Sequence, residues 1–238
     1  MAEAPRRSDL AVRTGSAIVM LVVAGLALWA GGFVLRLFVA AVAALVFWEW
    51  RGIVQRFPDG QGARIAWLVA GLLYVGTAAW GLLSLDGGAR IMLILLVIMT
   101  DVGAYFAGRA IGGPKIAPAI SPSKTWAGLA GGMIAAALVA AGGLGFLFWS
   151  LAGGSGRSAD TSWFDPGMIL LVALSGAAVA IVAQAGDFFE SWMKRRAGLK
   201  DSGHLIPGHG GLFDRVDGLL LAAIVAGLVM ALRPGFGG

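Results

Sequence analysis

Residues 184–218, QAGDFFESWMKRRAGLKDSGHLIPGHGGLFDRVDG, gather the side chains best suited to phosphate and a hard metal ion. These 35 residues hold four of the ten aspartates, one of the three glutamates, five of the eighteen Lys/Arg and both histidines. On a helix, Asp187, Glu190, Ser191 and Lys194 fall at i, i+3, i+4 and i+7. One face then carries carboxylate, hydroxyl and cation in a line, with Phe188, Phe189, Trp192 and Met193 giving apolar surface on the remainder. After Lys194-Arg195-Arg196, Gly198 permits a break and Lys200-Asp201-Ser202-Gly203 a turn. Pro207-Gly208-His209-Gly210-Gly211 is a Gly-rich connector whose N–H groups can approach an anion. Asp214 and Asp217, at i and i+3, share a face at the start of the last helix.

Aspartates on two separate helices, beside Lys and Arg, suit Mg²⁺, which takes one or two carboxylates plus water and phosphate oxygens. The cations then stabilise charge on a transferring phosphoryl or nucleotidyl group. A solvated interhelical loop is the plainer alternative, but it needs no paired aspartates at its entry and exit. Cysteine is absent, and His204 and His209 are the only histidines, so no zinc-type cluster exists. His209, between glycines, suits a hydrogen bond to backbone or phosphate as well as a role as base.

Two further features lie upstream. Asp101 falls within an apolar run, where a carboxylate is expensive unless paired or facing a water-filled cavity. A structural polar contact between helices is the alternative. The loop GGPKIAPAISPSKT, residues 112–125, brings Ser121, Ser123, Lys124 and Thr125 to the start of another run. Thr125 or Ser123 suits an N-cap, and a helix N-terminus beside a lysine suits phosphate. It is not a Walker loop, since GxxxxGK[ST] is missing.

The elements that must position these residues are membrane helices. The chain is 58% hydrophobic and 13% charged, with mean hydropathy +0.84; soluble domains carry about 25% charged residues. Apolar runs near the ~20 residues needed to cross a bilayer recur throughout. They predict an all-α polytopic integral membrane protein of about seven spans: 16–30, 33–50, 65–85, 90–111, 126–151, 167–185 and 212–232. The first run is kept as a span rather than a signal peptide. Gly31-Gly32, Pro58-Asp59-Gly60 and Asp86-Gly87-Gly88 read as turns, and residues 152–166 as a variable Gly/Ser/Asp loop. Trp48 and Trp50 suit an aromatic belt, with Glu49 between them interfacial. Residues 1–90 divide off as N-terminal spans, and 91–238 as the catalytic region. With a cytoplasmic N-terminus, fourteen Lys/Arg fall inside and four (Arg36, Arg90, Arg157 and Arg233) outside. That bias places both polar blocks at the cytoplasmic face. It also accounts for the net charge of +5 without nucleic acid.

The chain resembles the phosphatidate cytidylyltransferase (CDP-diacylglycerol synthase) family. The residues that carry the likeness are Ser191, Lys194-Arg195, Lys200-Asp201, Pro207-Gly208-His209-Gly210-Gly211 and Asp214-Arg215-Val216-Asp217, in register. A second block matches at Thr100-Asp101-Val102-Gly103-Ala104-Tyr105, Gly108-Arg109 and Ser121-Pro122-Ser123-Lys124-Thr125-Trp126, with Ala127 where relatives carry Glu. The resemblance implies the reaction CTP + phosphatidic acid → CDP-diacylglycerol + pyrophosphate in a membrane-embedded homodimer surrounded by lipid. It implies that Asp187 and Asp214 hold Mg²⁺, alone or with K⁺ as a second cation, supported by Asp217. Lys194, Arg195, Lys200, Arg215 and His209 complete the implied catalytic set. Asp101, Ser121, Ser123, Lys124, Thr125, Ser191, Gly210 and Gly211 would bind substrate. A CTP-dependent polyprenol or lipid kinase shares the need for metal and CTP, and a transporter shares an intramembrane Asp101. Asp86-Gly87-Gly88-Ala89-Arg90 is one residue short of a CDP-alcohol phosphotransferase motif and lacks the rest of it, which sets that reading aside.

Overall fold

The computed structural model describes residues 6–153, 165–206, 208 and 210–232, with side chains left aside at 6–11, 148, 149 and 151–153. Seven helices form among them: α1 (Arg6–Ala30), α2 (Gly32–Val54), α3 (Gln61–Ser84), α4 (Gly87–Ala110), α5 (Trp126–Gly153), α6 (Pro166–Arg196) and α7 (Phe213–Ala231). Six of them, α1 to α6, are long and apolar enough to cross a membrane. The chain is an all-α polytopic integral membrane protein. α7 has 19 residues and carries Asp214, Arg215 and Asp217 near its start, which sets it apart from the other six. Most of the expected variable loop lies outside the described residues.

The expected turns stand where glycine or a capping acid allows them. Gly31 and Gly32 adopt φ of 60° and 47°, a region costly for other residues, and reverse the chain between α1 and α2. Asp86 caps α4 by accepting from Ala89 N–H at 2.9 Å. Asp165 does the same for α6 from Gly167 N–H at 3.0 Å, with Pro166 in the first helical position. α6 ends at Gly198 (φ 68°), where Leu199 N–H closes on Lys194 O at 2.8 Å.

α6 has 31 residues, about 46 Å of helix against ~30 Å of hydrocarbon. Its outward Leu170, Leu171 and Leu174 are exposed, as suits lipid contact, while its C-terminal turns carry Asp187 to Arg196 beyond that apolar stretch.

The segment expected as a plain SPSK loop is a hairpin. β1 (Lys115–Ala117) pairs antiparallel with β2 (Ser121–Thr125), Lys115 opposite Thr125 and Ala117 opposite Ser121. Pro122 disfavours helix there, and pairing satisfies the extended backbone that would otherwise be left bare. Thr125 then caps α5, its Oγ1 accepting from Gly128 N–H at 3.0 Å.

Small residues set the helix crossings. A Cβ at Gly103 would lie 2.6 Å from Gly131 O (α4 against α5), and one at Gly176 2.6 Å from Ala136 O (α5 against α6). At Gly186 it would lie 2.6 Å from Asp217 O, so α6 and α7 touch backbone to backbone beside Asp187 and Asp217. An aromatic core closes the same end, where Trp50, Trp67, Tyr74, Phe189 and Phe213 surround one another and Trp50 Nε1 donates to Trp67 O at 2.9 Å. Trp50 is therefore no belt residue: it is 1% exposed, whereas Trp48 is 57% exposed as a belt residue should be.

Overpacking a helix contact costs about 1–3 kcal/mol. Gly186→Val is therefore expected to lower the thermal midpoint in detergent. Gly62→Val, where nothing lies within 4 Å of the new Cβ, is expected to leave it unchanged. Equal midpoints would contradict the tight crossing.

Candidate active site

The helix face read from the spacing in 187–194 exists. Ser191 Oγ donates to Asp187 Oδ1 at 3.3 Å, and Lys194 Nζ lies 2.5 Å from Glu190. Asp187 is also ion-paired to Lys124 of β2, whose ammonium sits over the Phe188 ring at 4.6 Å. Asp187 thus ties the hairpin to α6.

Asp214 is held differently. Lys194 Nζ donates to its Oδ1 at 2.6 Å, while Oδ2 accepts from Ser202 N–H (3.0 Å), Ser202 Oγ (2.9 Å) and Gly211 N–H (2.9 Å). The anion met by the Gly-rich connector is therefore the chain's own Asp214, at least through Gly211. Gly210 has φ of 81°, and a Cβ there would lie 3.1 Å from Asp214 Oδ2. Two implied metal ligands, Asp187 and Asp214, consequently lean on two different lysines. Among the described residues, no three acidic or histidine side chains are grouped closely enough to hold one ion.

A cavity of about 340 Å³ opens between α4, the hairpin, α5 and α6. Asp101, Arg109, Ser123, Lys124, Thr125 and Asp187 are among its lining. Asp101 is exposed to it, as the cavity alternative for an intramembrane carboxylate requires. Asp187 and Asp217 lie within electrostatic reach of Asp101, with Lys124 as counter-charge and Arg215 also acting on Asp101. One Asp217 oxygen accepts from Gly218 N–H at 2.8 Å.

Other expected site residues are dispersed. Ser121 is buried at the far end of β2 and does not line the cavity. Arg195 reaches back instead, donating to Ile120 O (3.3 Å) and Leu199 O (3.1 Å). Its neighbour Arg196 clamps Asp59 with two bonds of 2.8 and 2.9 Å and stacks near Trp192. Lys200 and Arg215 are exposed. His209, with Pro207, lies outside the described residues.

Three residues stand closer to the site than the expected set of site residues allowed. Glu190 is fully buried, with Lys194 as its charge partner. Arg109 and its neighbours place a second cation at the cavity. Glu49, expected at the interface, is instead 5% exposed and accepts from Leu212 N–H (2.9 Å), Phe213 N–H (2.7 Å) and Ser202 Oγ (3.0 Å). A signal was present: Val46, Glu49, Trp50 and Ile53 fall at i, i+3, i+4 and i+7, an inward stripe that includes the acid.

A sequence model of the cytidylyltransferase family matches residues 65–233. The chain belongs to that family. It is 44% identical over 186 residues to a phosphatidate cytidylyltransferase of Brucella suis biovar 1 (strain 1330), covering 76% of this chain and 61% of that relative. The corresponding protein of Pseudomonas aeruginosa is 37% identical over 75% of this chain and 64% of its own length. That of Rickettsia felis is 35% identical over 73% and 74%. The chain therefore spans less than two thirds of the Brucella and Pseudomonas relatives. Both blocks of the site, Asp101 to Thr125 and Asp187 to Asp217, fall inside the matched residues, while Glu49 falls outside them.

Removing one partner from a buried ion pair costs about 3–5 kcal/mol, because the other charge is left stranded. Lys194→Met is expected to destabilise by that order, since it strands both Glu190 and Asp214. Asp59→Ala breaks a more exposed pair and should cost under about 1 kcal/mol. Unfolding titrations in mixed micelles compare the two.

Proposed function

We propose that this chain is a phosphatidate cytidylyltransferase, converting CTP and phosphatidic acid to CDP-diacylglycerol and pyrophosphate. The observation that supports it best is the cavity in which Lys124 and Arg109 face Asp101 and Asp187 beside membrane-crossing helices. Such a site can receive two anions, one of them anchored in lipid. A free phosphate oxygen of phosphatidate attacks the α-phosphorus of CTP in line. A P–O bond forms there, and the bond to the β-phosphate oxygen breaks with its electron pair going to pyrophosphate. No general base is needed, because a phosphate monoester with second pKa near ~6 is already largely dianionic at neutral pH.

The chain's residues would work as follows. Lys124 and Lys194 now neutralise Asp187 and Asp214. On substrate binding they turn to phosphate oxygens and offset the repulsion between the two anions. Thr125, by capping α5, fixes the end of β2 that carries Lys124. Ser123 and Asp101 border the space the substrate enters. Gly210, Gly211 and Ser191 shape and hold the two aspartates, and Arg195, Lys200, Arg215 and His209 add to the same polar end.

Asp101 and Asp187 line the cavity and Asp217 lies within electrostatic reach of both; these donors are all oxygen, which fits a hard divalent ion that draws its other ligands from water and phosphate. Asp187 and Asp214, with Asp217 in support, would hold Mg²⁺, alone or with K⁺. The ion would supply charge stabilisation to the α-phosphate and the leaving pyrophosphate. The family resemblance extends the proposal to a homodimer, and the Lys/Arg bias to a bacterial-type inner membrane with N-terminus and site facing the cytoplasm. Membrane lipids are then its surroundings, and nucleic acid is no partner.

Purified protein given CTP, phosphatidic acid and Mg²⁺ in detergent should release pyrophosphate and CDP-diacylglycerol, with no turnover after chelation. Asp187→Asn should lower kcat per folded molecule by about 100-fold or more while the protein still folds. Release of CDP with a phosphorylated lipid alcohol would instead identify a lipid kinase. Solute flux in liposomes without CTP would identify a transporter.

A further inference from the structure

α7 has no cap of its own. Leu212 stands at its N-cap position and offers no side-chain hydrogen bond, yet Phe213, the first residue of the helix, is buried there. Glu49 supplies what is missing, from an α2 site more than 160 residues earlier: Oε1 accepts from Leu212 N–H and Oε2 from Phe213 N–H. A carboxylate at a helix N-terminus both satisfies donors and opposes the helix dipole. The backbone closes around it. A Cβ at Gly203 would lie 2.6 Å from Glu49 Oε1, and one at Gly211 2.7 Å from Oε2.

The same carboxylate reaches the candidate site through one hydroxyl. Ser202 Oγ lies 3.0 Å from Glu49 Oε2 and 2.9 Å from Asp214 Oδ2, with one proton to give to two acceptors. Ser202 N–H donates to Asp214 as well. We propose that Glu49 is a positioning residue for the Asp214 carboxylate, fixing where α7 begins and, through Ser202, which way Asp214 points. Asp214 stands one residue beyond Phe213 and Asp217 three further on, so a shift of the α7 start moves both. Only a carboxylate satisfies the geometry. Glutamine would turn its NH₂ toward Leu212 N–H or toward Phe213 N–H, a donor facing a donor.

The test compares full-length wild type, Glu49→Gln, Glu49→Asp and Ser202→Ala in detergent. Its kinetic arm rests on the cytidylyltransfer reading; its second arm, amide hydrogen exchange, does not. Glu49→Gln should speed exchange over residues 211–214 while α4 and α5 stay protected. It should also lower kcat per folded molecule by about 10- to 100-fold and raise the Mg²⁺ concentration needed for half-maximal rate. Glu49→Asp should recover part of both effects. Ser202→Ala, which leaves both Glu49–backbone bonds in place, should lower kcat by about 3- to 10-fold with less change in exchange, and it decides the case should Glu49→Gln fail to fold. Unchanged exchange at 211–214 in Glu49→Gln would overturn the proposal whether or not the wild type makes CDP-diacylglycerol. So would activity lost only in proportion to unfolded protein, with the Mg²⁺ requirement unmoved. A wild type that makes no CDP-diacylglycerol counts against the function alone, and the exchange result then decides on Glu49.

Discussion

A carboxylate near hydrocarbon must be partnered, and the polar end of this bundle is arranged by how its acids find partners. Asp187 takes Lys124 of the hairpin, Glu190 and Asp214 share Lys194, and Glu49 takes the bare N-terminus of α7. Each partnership joins separate elements: β2 to α6, α6 to α7, α2 to α7. Breaking one strands a charge and releases an element together. The acids are the joints of this end of the bundle.

Those joints require the helices to come very close, and composition allows it. Glycine at 103, 131, 176, 186 and 218 removes the side chains that would hold α4, α5, α6 and α7 apart. Lipid offers no hydrophobic drive between helices, so contact and hydrogen bonding at short range must supply the association. The crossing at Gly186 sits one residue from Asp187 and against the backbone of Asp217. The same contact that binds α6 to α7 therefore sets the spacing of two site carboxylates.

The three basic residues ending α6 show how far local reading goes. Lys194, Arg195 and Arg196 are adjacent in sequence and look equivalent, yet helical rotation sends them to three destinations. Lys194 enters the acid pair, Arg195 ties to the hairpin at Ile120, and Arg196 clamps Asp59 beneath aromatic rings. Glu49 makes the converse point. Its place on the inward stripe of α2 was legible from spacing, but its partners were not, because a backbone N–H carries no sequence signature.

From sequence alone came the membrane class, the helices and most of their ends, the turns at Gly31-Gly32 and Asp86, the helix face from Asp187 to Lys194, and the two motif blocks. Periodicity of 3.6 residues, capping chemistry and hydropathy act over a few neighbours, so they are written locally. Tertiary structure decided the rest: that Lys124 rather than Lys194 meets Asp187, that Arg196 meets Asp59, and that Glu49 begins α7. Those outcomes depend on which buried donor lies within 3 Å of which acceptor. Distance of that kind is fixed only when helices separated by dozens of residues have packed.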